Sequence, residues 1–252
     1  MQHNTIMESV FNSDRKIVVD SVCKSYKTFG GVHEAVKNVS FSLDEGSVTV
    51  IGGENGSGKS VLMSIMAGLE KPDSGTVSAF GKVGLVFQEA DTQILGETPR
   101  EDIAVGPRNQ KKSKKEIDAP VESALEKTNL SGRADFPARF LSGGQKRRLA
   151  VACMIAMENP IIIFDEPYAN LDYGGVKQVN ALVSALKGEG RTVLILTHEL
   201  EKCLGLSDRF IVLFRGEKVF DGSPADGLLE DLEKWNIRNP LASYSSVKDL
   251  VW

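Results

Sequence analysis

Val48-Thr49-Val50-Ile51, Val83-Gly84-Leu85-Val86-Phe87, Ile161-Ile162-Ile163-Phe164, Thr192 to Leu196 and Phe210 to Phe214 are short, nearly unbroken apolar runs. Such runs predict strands buried on both faces. Between them lie stretches of helical periodicity. Val61-Leu62-Met63-Ser64-Ile65-Met66 follows the first run, and Leu149, Ala152, Cys153 and Ala156 recur at helical spacing in a helix expected over Gln145 to Met157. Strand and helix in alternation imply a mostly parallel sheet covered on both sides. A different pattern precedes it. Ile17-Val18-Val19 opens a strand after a polar start, and Val39 to Leu43 alternates apolar and polar residues as an exposed antiparallel strand does. Asp44-Glu45-Gly46 turns the chain into the first buried run, and Lys71-Pro72-Asp73-Ser74-Gly75 marks another turn before a short strand at Thr76 to Phe80.

Residues 98–140 break both periods. Val121-Glu122-Ser123-Ala124-Leu125-Glu126 reads as helix, but Pro99, Pro107, Pro120 and Pro137 are expected to keep the helices there short. Lys111-Lys112-Ser113-Lys114-Lys115 reads as a solvated basic linker.

Composition narrows the function classes. In 252 residues, 41% of them apolar, there is enough material for a sizeable core. The formal charge of -4 leaves no electrostatic footprint for nucleic acid. No apolar stretch reaches the roughly 20 residues of a membrane span, so the chain is expected to be soluble and to meet a membrane only through a partner. Cys23, Cys153 and Cys203 are widely spaced and read as reduced thiols.

The sharpest chemical signal is Gly53-Glu54-Asn55-Gly56-Ser57-Gly58-Lys59-Ser60, which lies between the strand at 48–51 and the helical run beginning at Val61. It matches G-x-x-x-x-G-K-[ST] in the strand, loop, helix context the motif requires. Its glycines let backbone N–H groups turn inward around phosphates, the following helix aims its positive end there, Lys59 adds a point charge, and the Ser60 hydroxyl is a ligand for Mg²⁺. Asp165 and Glu166 end a buried strand, and His198 follows another, so all three emerge at the carboxyl edge where open α/β sheets bind ligands. Leu141-Ser142-Gly143-Gly144-Gln145 opens the helix at 145–157, and its amino end is a second anion site.

Taken together, the phosphate loop, Leu141 to Gln145, Ile161 to Glu166 and His198, in that order, resemble the nucleotide-binding subunit of an ABC transporter over residues 16–222. The resemblance implies an α/β P-loop core with a mostly parallel sheet, an antiparallel β lobe and an inserted helical subdomain. Residues 1–15 would be a ragged start, 16–97 and 141–222 the ATP-binding core with its β lobe, 98–140 the helical subdomain running on into the helix at 142–158, and 223–252 a short tail. It also implies roles. ATP would lie on Gly53 to Ser60 and Val61, a position where the family often has a second hydroxyl. Asp165, Ser60 and Gln88 would hold Mg²⁺, Glu166 would be the general base, and His198 would contact the γ-phosphate. Gln88 would also sense the attacking water. Tyr26, with Phe29 as a competitor, would stack on adenine, and Asp172 would lie in a loop reaching the opposite subunit. Ser142, Gly143, Gly144 and Gln145 would close the phosphate loop of a second ATPase subunit, itself or a paralogue, in a head-to-tail dimer.

Segments Val83 to Gln88, Asp91 to Leu95, Glu101 to Pro107 and Arg139 to Leu149 are similar to the ATPases of energy-coupling factor importers, with Glu89-Ala90 departing from their usual pattern. Those ATPases work on the cytoplasmic face of the membrane, beneath a transmembrane coupling protein and a substrate-capturing membrane protein. The polar stretch Gln88, Glu89, Asp91, Gln93 and Glu97 would form part of a groove for a basic helix of the coupling protein. Chromosome-maintenance ABC proteins need long coiled coils between their ATP motifs, and translation-associated ones need two cassettes and basic arms. Neither is present.

Overall fold

A computed structural model describes residues 15–242 and Ser246. The expected ragged start, apart from Arg15, and most of the last ten residues of the tail therefore lie outside the described residues. The elements are β1 (Arg15–Thr28), β2 (Gly31–Asp44), β3 (Val48–Gly52), α1 (Lys59–Met66), β4 (Ser74–Ala79), β5 (Val83–Val86), α2 (Pro99–Asn109), α3 (Lys114–Lys127), α4 (Gly143–Ala156), β6 (Ile161–Asp165), α5 (Tyr173–Gly188), β7 (Thr192–Thr197), β8 (Arg209–Phe214) and β9 (Glu217–Gly222).

The apolar runs form one six-stranded sheet in the order β5-β6-β7-β3-β8-β9, parallel except for β9. Their side chains alternate between two cores, as the period of two requires. Val50, Ile162, Phe164, Val193, Ile195, Phe210 and Val212 point to the core shared with α4 and α5. Ile51, Ile161, Ile163, Leu194, Leu196, Ile211 and Leu213 point to the other, where Leu62, Met63, Ile65 and Met66 of α1 meet the antiparallel sheet β2-β1-β4. Full burial of such a side chain stabilises by about 1.5–3 kcal/mol, so these two layers dominate the fold.

Four expectations need correction. The alternating stretch Val39 to Leu43 is not an exposed strand: Val39, Phe41 and Leu43 are buried against the second core, and only the residues between them face outward. The prolines of the helical zone do not all end helices. Pro99 begins α2, but Pro107 and Pro120 sit inside α2 and α3. An interior proline costs about 3 kcal/mol, and here Ile103 and Ala104 of α2 and Ile117, Val121, Ala124 and Leu125 of α3 bury enough apolar surface to offset it. The basic run is not a plain linker either. Ser113 and Glu116 form a capping box, so Lys114 and Lys115 begin α3, and Lys112 pairs with Glu158 at 2.7 Å. The helix expected over 145–157 starts earlier, at Gly143, because Ser142 is its cap.

Candidate active site

The carboxyl edge of β3, β6 and β7 gathers the chemistry. β3 ends at Gly52 and the loop over residues 53–58 leads straight into α1. Gly58 takes a left-handed φ of +101°, and a Cβ there would lie 2.3 Å from the Ala35 carbonyl oxygen, so only glycine fits this turn. The N-terminus of α1 thus carries no side-chain cap, and its free N–H groups remain available to an anion. Tyr26, His33, Ala35, Asn55, Gly56, Gly58, Lys59, Ser60, Val61, Gln88 and Glu166 line a cavity of about 240 Å³ over this end.

Charges in this edge are desolvated. Lys59 is 5% exposed, and its ammonium donates to the Gly53 and Glu54 carbonyls at 2.7 and 3.0 Å while lying 3.7 Å from Glu166 Oε1. Burial pulls the Lys59 amine below its ordinary range, against the opposing pull of Glu166 and Asp165. The Ser60 hydroxyl donates to Asp165 Oδ1 at 3.4 Å. Burial raises the Asp165 carboxyl, and that hydrogen bond offsets part of the rise.

Glu166 does not project by strand alternation, as its place after Asp165 suggests. β6 stops at Asp165, and Glu166 adopts a left-handed φ of 46° while its N–H donates to the Leu196 carbonyl at 2.8 Å. That strained backbone is uncommon outside glycine and asparagine, and it turns a 6% exposed carboxylate towards Lys59 and the loop after β7. There the His198 N–H donates to Glu166 Oε2 at 3.3 Å, and His198 Nδ1 lies 3.0 Å from the same oxygen. The imidazole is about half exposed at 48%, so it faces outward from the edge while steadying the buried acid.

Ser142, Gly143, Gly144 and Gln145 are elsewhere. They begin α4, with Ser142 Oγ accepting from the Gln145 N–H at 3.3 Å and Gln145 Oε1 accepting from the Ser142 N–H at 2.8 Å. Gly143 lines a separate cavity of about 230 Å³ with Gln88, Asp91, Lys146, Arg147 and Asn170. Among the described residues, Gln88 and no other expected site residue lines both cavities. Phe29 lies fully exposed at the β1–β2 hairpin tip and does not line the cavity that Tyr26 lines. Glu54 turns its carboxylate away from the site, accepting from Asn236 Nδ2 at 2.7 Å. Asp172 caps α5, its Oδ1 accepting from the Gly175 N–H at 2.7 Å. Tyr168 is fully buried and donates to Asn180 Oδ1 at 2.8 Å.

Two residues escaped the sequence reading. His33 is the cross-strand partner of Tyr26 and shares its cavity. Arg147 is buried beside Gln88. The hairpin register would have pointed to His33, but no sequence signal sets that register across Gly30-Gly31.

A family model for the ABC transporter matches residues 36–169. The chain belongs to the ABC transporter ATP-binding family. This ABC ATPase is similar to the energy-coupling factor transporter ATP-binding protein EcfA of Carboxydothermus hydrogenoformans, 40% identical over 203 residues covering 75% of each chain. It is also similar to the cobalt import ATP-binding protein CbiO of Rhodobacter capsulatus, 37% identical over 235 residues covering 86% of this chain and 83% of that one. Among solved structures, CbiO1 from Clostridium perfringens, part of the transporter complex CbiONQ, superposes with a TM-score of 0.77 at 32% identity, covering 90% of this chain and 96% of that one. The MJ0796 cassette, solved as a dimer in a post-hydrolysis state with ADP and Pi, superposes with a TM-score of 0.74 at 28% identity, covering 82% and 98%. The α/β fold and the ATPase activity read from the motifs are those of this family.

Proposed function

We propose that this ATPase powers import of the energy-coupling factor type, taking up a metal ion or a vitamin through membrane partners. The observation that carries the hydrolytic part is the convergence of Lys59, Ser60, Asp165, Glu166 and His198 on one sheet edge. The import type rests on the likeness to EcfA and CbiO over three quarters or more of the chain.

In this reading the loop over 53–60 and the α1 N–H groups hold the β- and γ-phosphates, with Lys59 exchanging its own loop carbonyls for phosphate oxygens. Tyr26 offers its ring to adenine. Glu166, fixed by His198, takes the proton of the attacking water, and Gln88, which lines the same cavity, orients that water. The hydroxyl of Ser60 beside the Asp165 carboxylate, with Gln88 nearby, is a hard oxygen donor set that suits Mg²⁺. When bound, Mg²⁺ would neutralise charge on the β- and γ-oxygens.

Ser142 to Gln145 would close on the nucleotide of a second ATPase subunit, because they sit too far from the chain's own cavity to line it. No described helix is long and apolar enough to cross a membrane. In this reading the chain sits at the cytoplasmic face of the membrane, held there by its membrane partners. A groove of about 510 Å³ lined by Asp91, Ile94, Gly96, Glu97, Thr98, Pro137 and Arg139 is the proposed seat of a transmembrane partner's helix. It is less acidic than the sequence suggests. Asp91 is already engaged by Lys146, and Arg139 faces the same groove.

Glu166→Gln tests the assignment. It should keep ATP affinity and lose at least about 100-fold in turnover, the scale of general-base assistance. A loss below 10-fold would remove Glu166 from that role.

A further inference from the structure

Lys59 and Arg147 are the only cations among the buried side chains of the described residues. Lys59 has a carboxylate near it; Arg147, 7% exposed, has no ion pair among those residues. Its guanidinium donates instead to two carbonyl oxygens, Nη2 to Gln88 at 3.0 Å and Nη1 to Ala169 at 3.2 Å, and its buried Nε has no partner. A buried cation hydrogen-bonded only to carbonyls is costly: burial lowers its proton affinity, and the carboxylate of Glu199, beyond ion-pair distance, offsets only part of that. A methionine of similar reach would pack there more cheaply. The arrangement makes sense as geometry rather than as stability, since the planar fork reaches two separate backbone segments at once.

The three segments it joins are distinct. Arg147 lies on α4, one turn from Ser142. Gln88 follows β5 and lines the nucleotide cavity, while Ala169 lies in the loop from β6 to α5 that carries Asn170 and Asp172. We infer that Arg147 is a positioning residue that locks the Gln88 loop and the 169–172 loop to the Ser142 end of α4, so that occupation of the partner's site is passed to Gln88 in its own. This rests on the head-to-tail arrangement proposed above. Lys146, which pairs with Asp91 just after Gln88, braces the same junction from its exposed side.

The test uses the ATPase dimer in its native membrane complex, with Arg147→Met and Arg147→Lys compared for ATP affinity, kcat, the Hill coefficient for ATP and thermal midpoint. Coupling through such a network is commonly worth a 2- to 30-fold change, and about 10-fold in kcat is expected here. ATP affinity should stay within about 2-fold and the Hill coefficient should fall towards 1 in the methionine variant. Lysine should restore part of kcat but not the cooperativity, because it cannot span both carbonyls. Unchanged kcat and Hill coefficient would overturn the inference, as would a non-cooperative wild type. A fall in midpoint and affinity with the Hill coefficient intact would make Arg147 a packing residue only. Should Arg147→Met fail to fold, the lysine variant decides by the same readouts. Ser142→Arg run in parallel separates the two claims: normal hydrolysis there refutes the head-to-tail arrangement itself, whatever Arg147 does.

Discussion

Two helix ends in this chain are built for anions, and they are built differently. α1 begins at a left-handed glycine with no side-chain cap, and Ser57 and Lys59 around it are buried. α4 begins at Ser142, extended, closed by a reciprocal capping box with Gln145, and Gly143 stands exposed while Gly144 is half-buried. The first is walled by its own chain on several sides, including Ala35 of β2 and Glu166. The second has satisfied its own cap and still presents the bare backbone of Gly143 outward. In the head-to-tail pair proposed above, the exposed end of one chain would close over the walled site of the other.

Glycine substitutions should break this comparison most sharply. In Gly58→Ala the new methyl meets the Ala35 carbonyl at 2.3 Å on a left-handed backbone. It should cost about 3 kcal/mol or more of stability and abolish nucleotide binding, measured by thermal melts and fluorescent-nucleotide titration. A Cβ on Gly143 meets nothing within 4 Å. Gly143→Ala should leave the midpoint unchanged or slightly higher, since alanine is the better helix former, and keep ATP affinity. Turnover should nonetheless fall about 10- to 100-fold if a partner's phosphate must approach that backbone, and a fully active Gly143→Ala would argue that it does not.

Ser142→Arg sharpens the same contrast at lower structural cost. Loss of the cap should remove only about 1 kcal/mol of stability. The chain's own phosphate loop should still bind nucleotide while hydrolysis stops, because the cation fills the space reserved for the partner's γ-phosphate. Weakened binding in the chain's own cavity would mean that the two ends are not separate.

The smallest effect concerns charge in the walled site. Burial holds the Asp165 carboxyl above the ordinary range near 3.9. The folded chain therefore keeps its proton at pH values where the unfolded chain has lost it, and stability falls as pH rises through that window. Asp165→Asn should raise the thermal midpoint of the nucleotide-free protein by about 2 °C at neutral pH and make it less dependent on pH above the ordinary carboxylate range, while hydrolysis is lost. A lowered midpoint would mean that attraction to Lys59 outweighs desolvation.

What was legible in the sequence follows from how local each feature is. Gly53 to Ser60, the strands before Asp165 and His198, and the run Leu141 to Gln145 are set by neighbours in the chain, and all are visible as residue types at fixed spacing. The two-core sheet was readable too, because Ile161 to Phe164 and Thr192 to Leu196 carry no polar face. Features made by backbone were not. Arg147 finds its partners in carbonyl oxygens, which every residue has, so no motif announces it. Glu166 turns by a left-handed φ that its residue type disfavours. Pro107 and Pro120 read as helix breakers because their cost is local, whereas the packing of Ile103, Val121 and Leu125 that outweighs it comes from distant parts of the chain.

The central claim, that the Ser142 end of one chain completes the nucleotide site of another, is tested most directly by the scattering mass of Glu166→Gln with and without Mg-ATP, alone and mixed with whichever ATPase co-purifies with it. Slowed hydrolysis should trap the closed pair. The account predicts a mass of two ATPase chains that appears only with Mg-ATP and disappears when Ser142→Arg is added to each chain at its matching position. Saturating Mg-ATP binding with the mass of a single chain in every mixture, or a pair that survives Ser142→Arg, would contradict it.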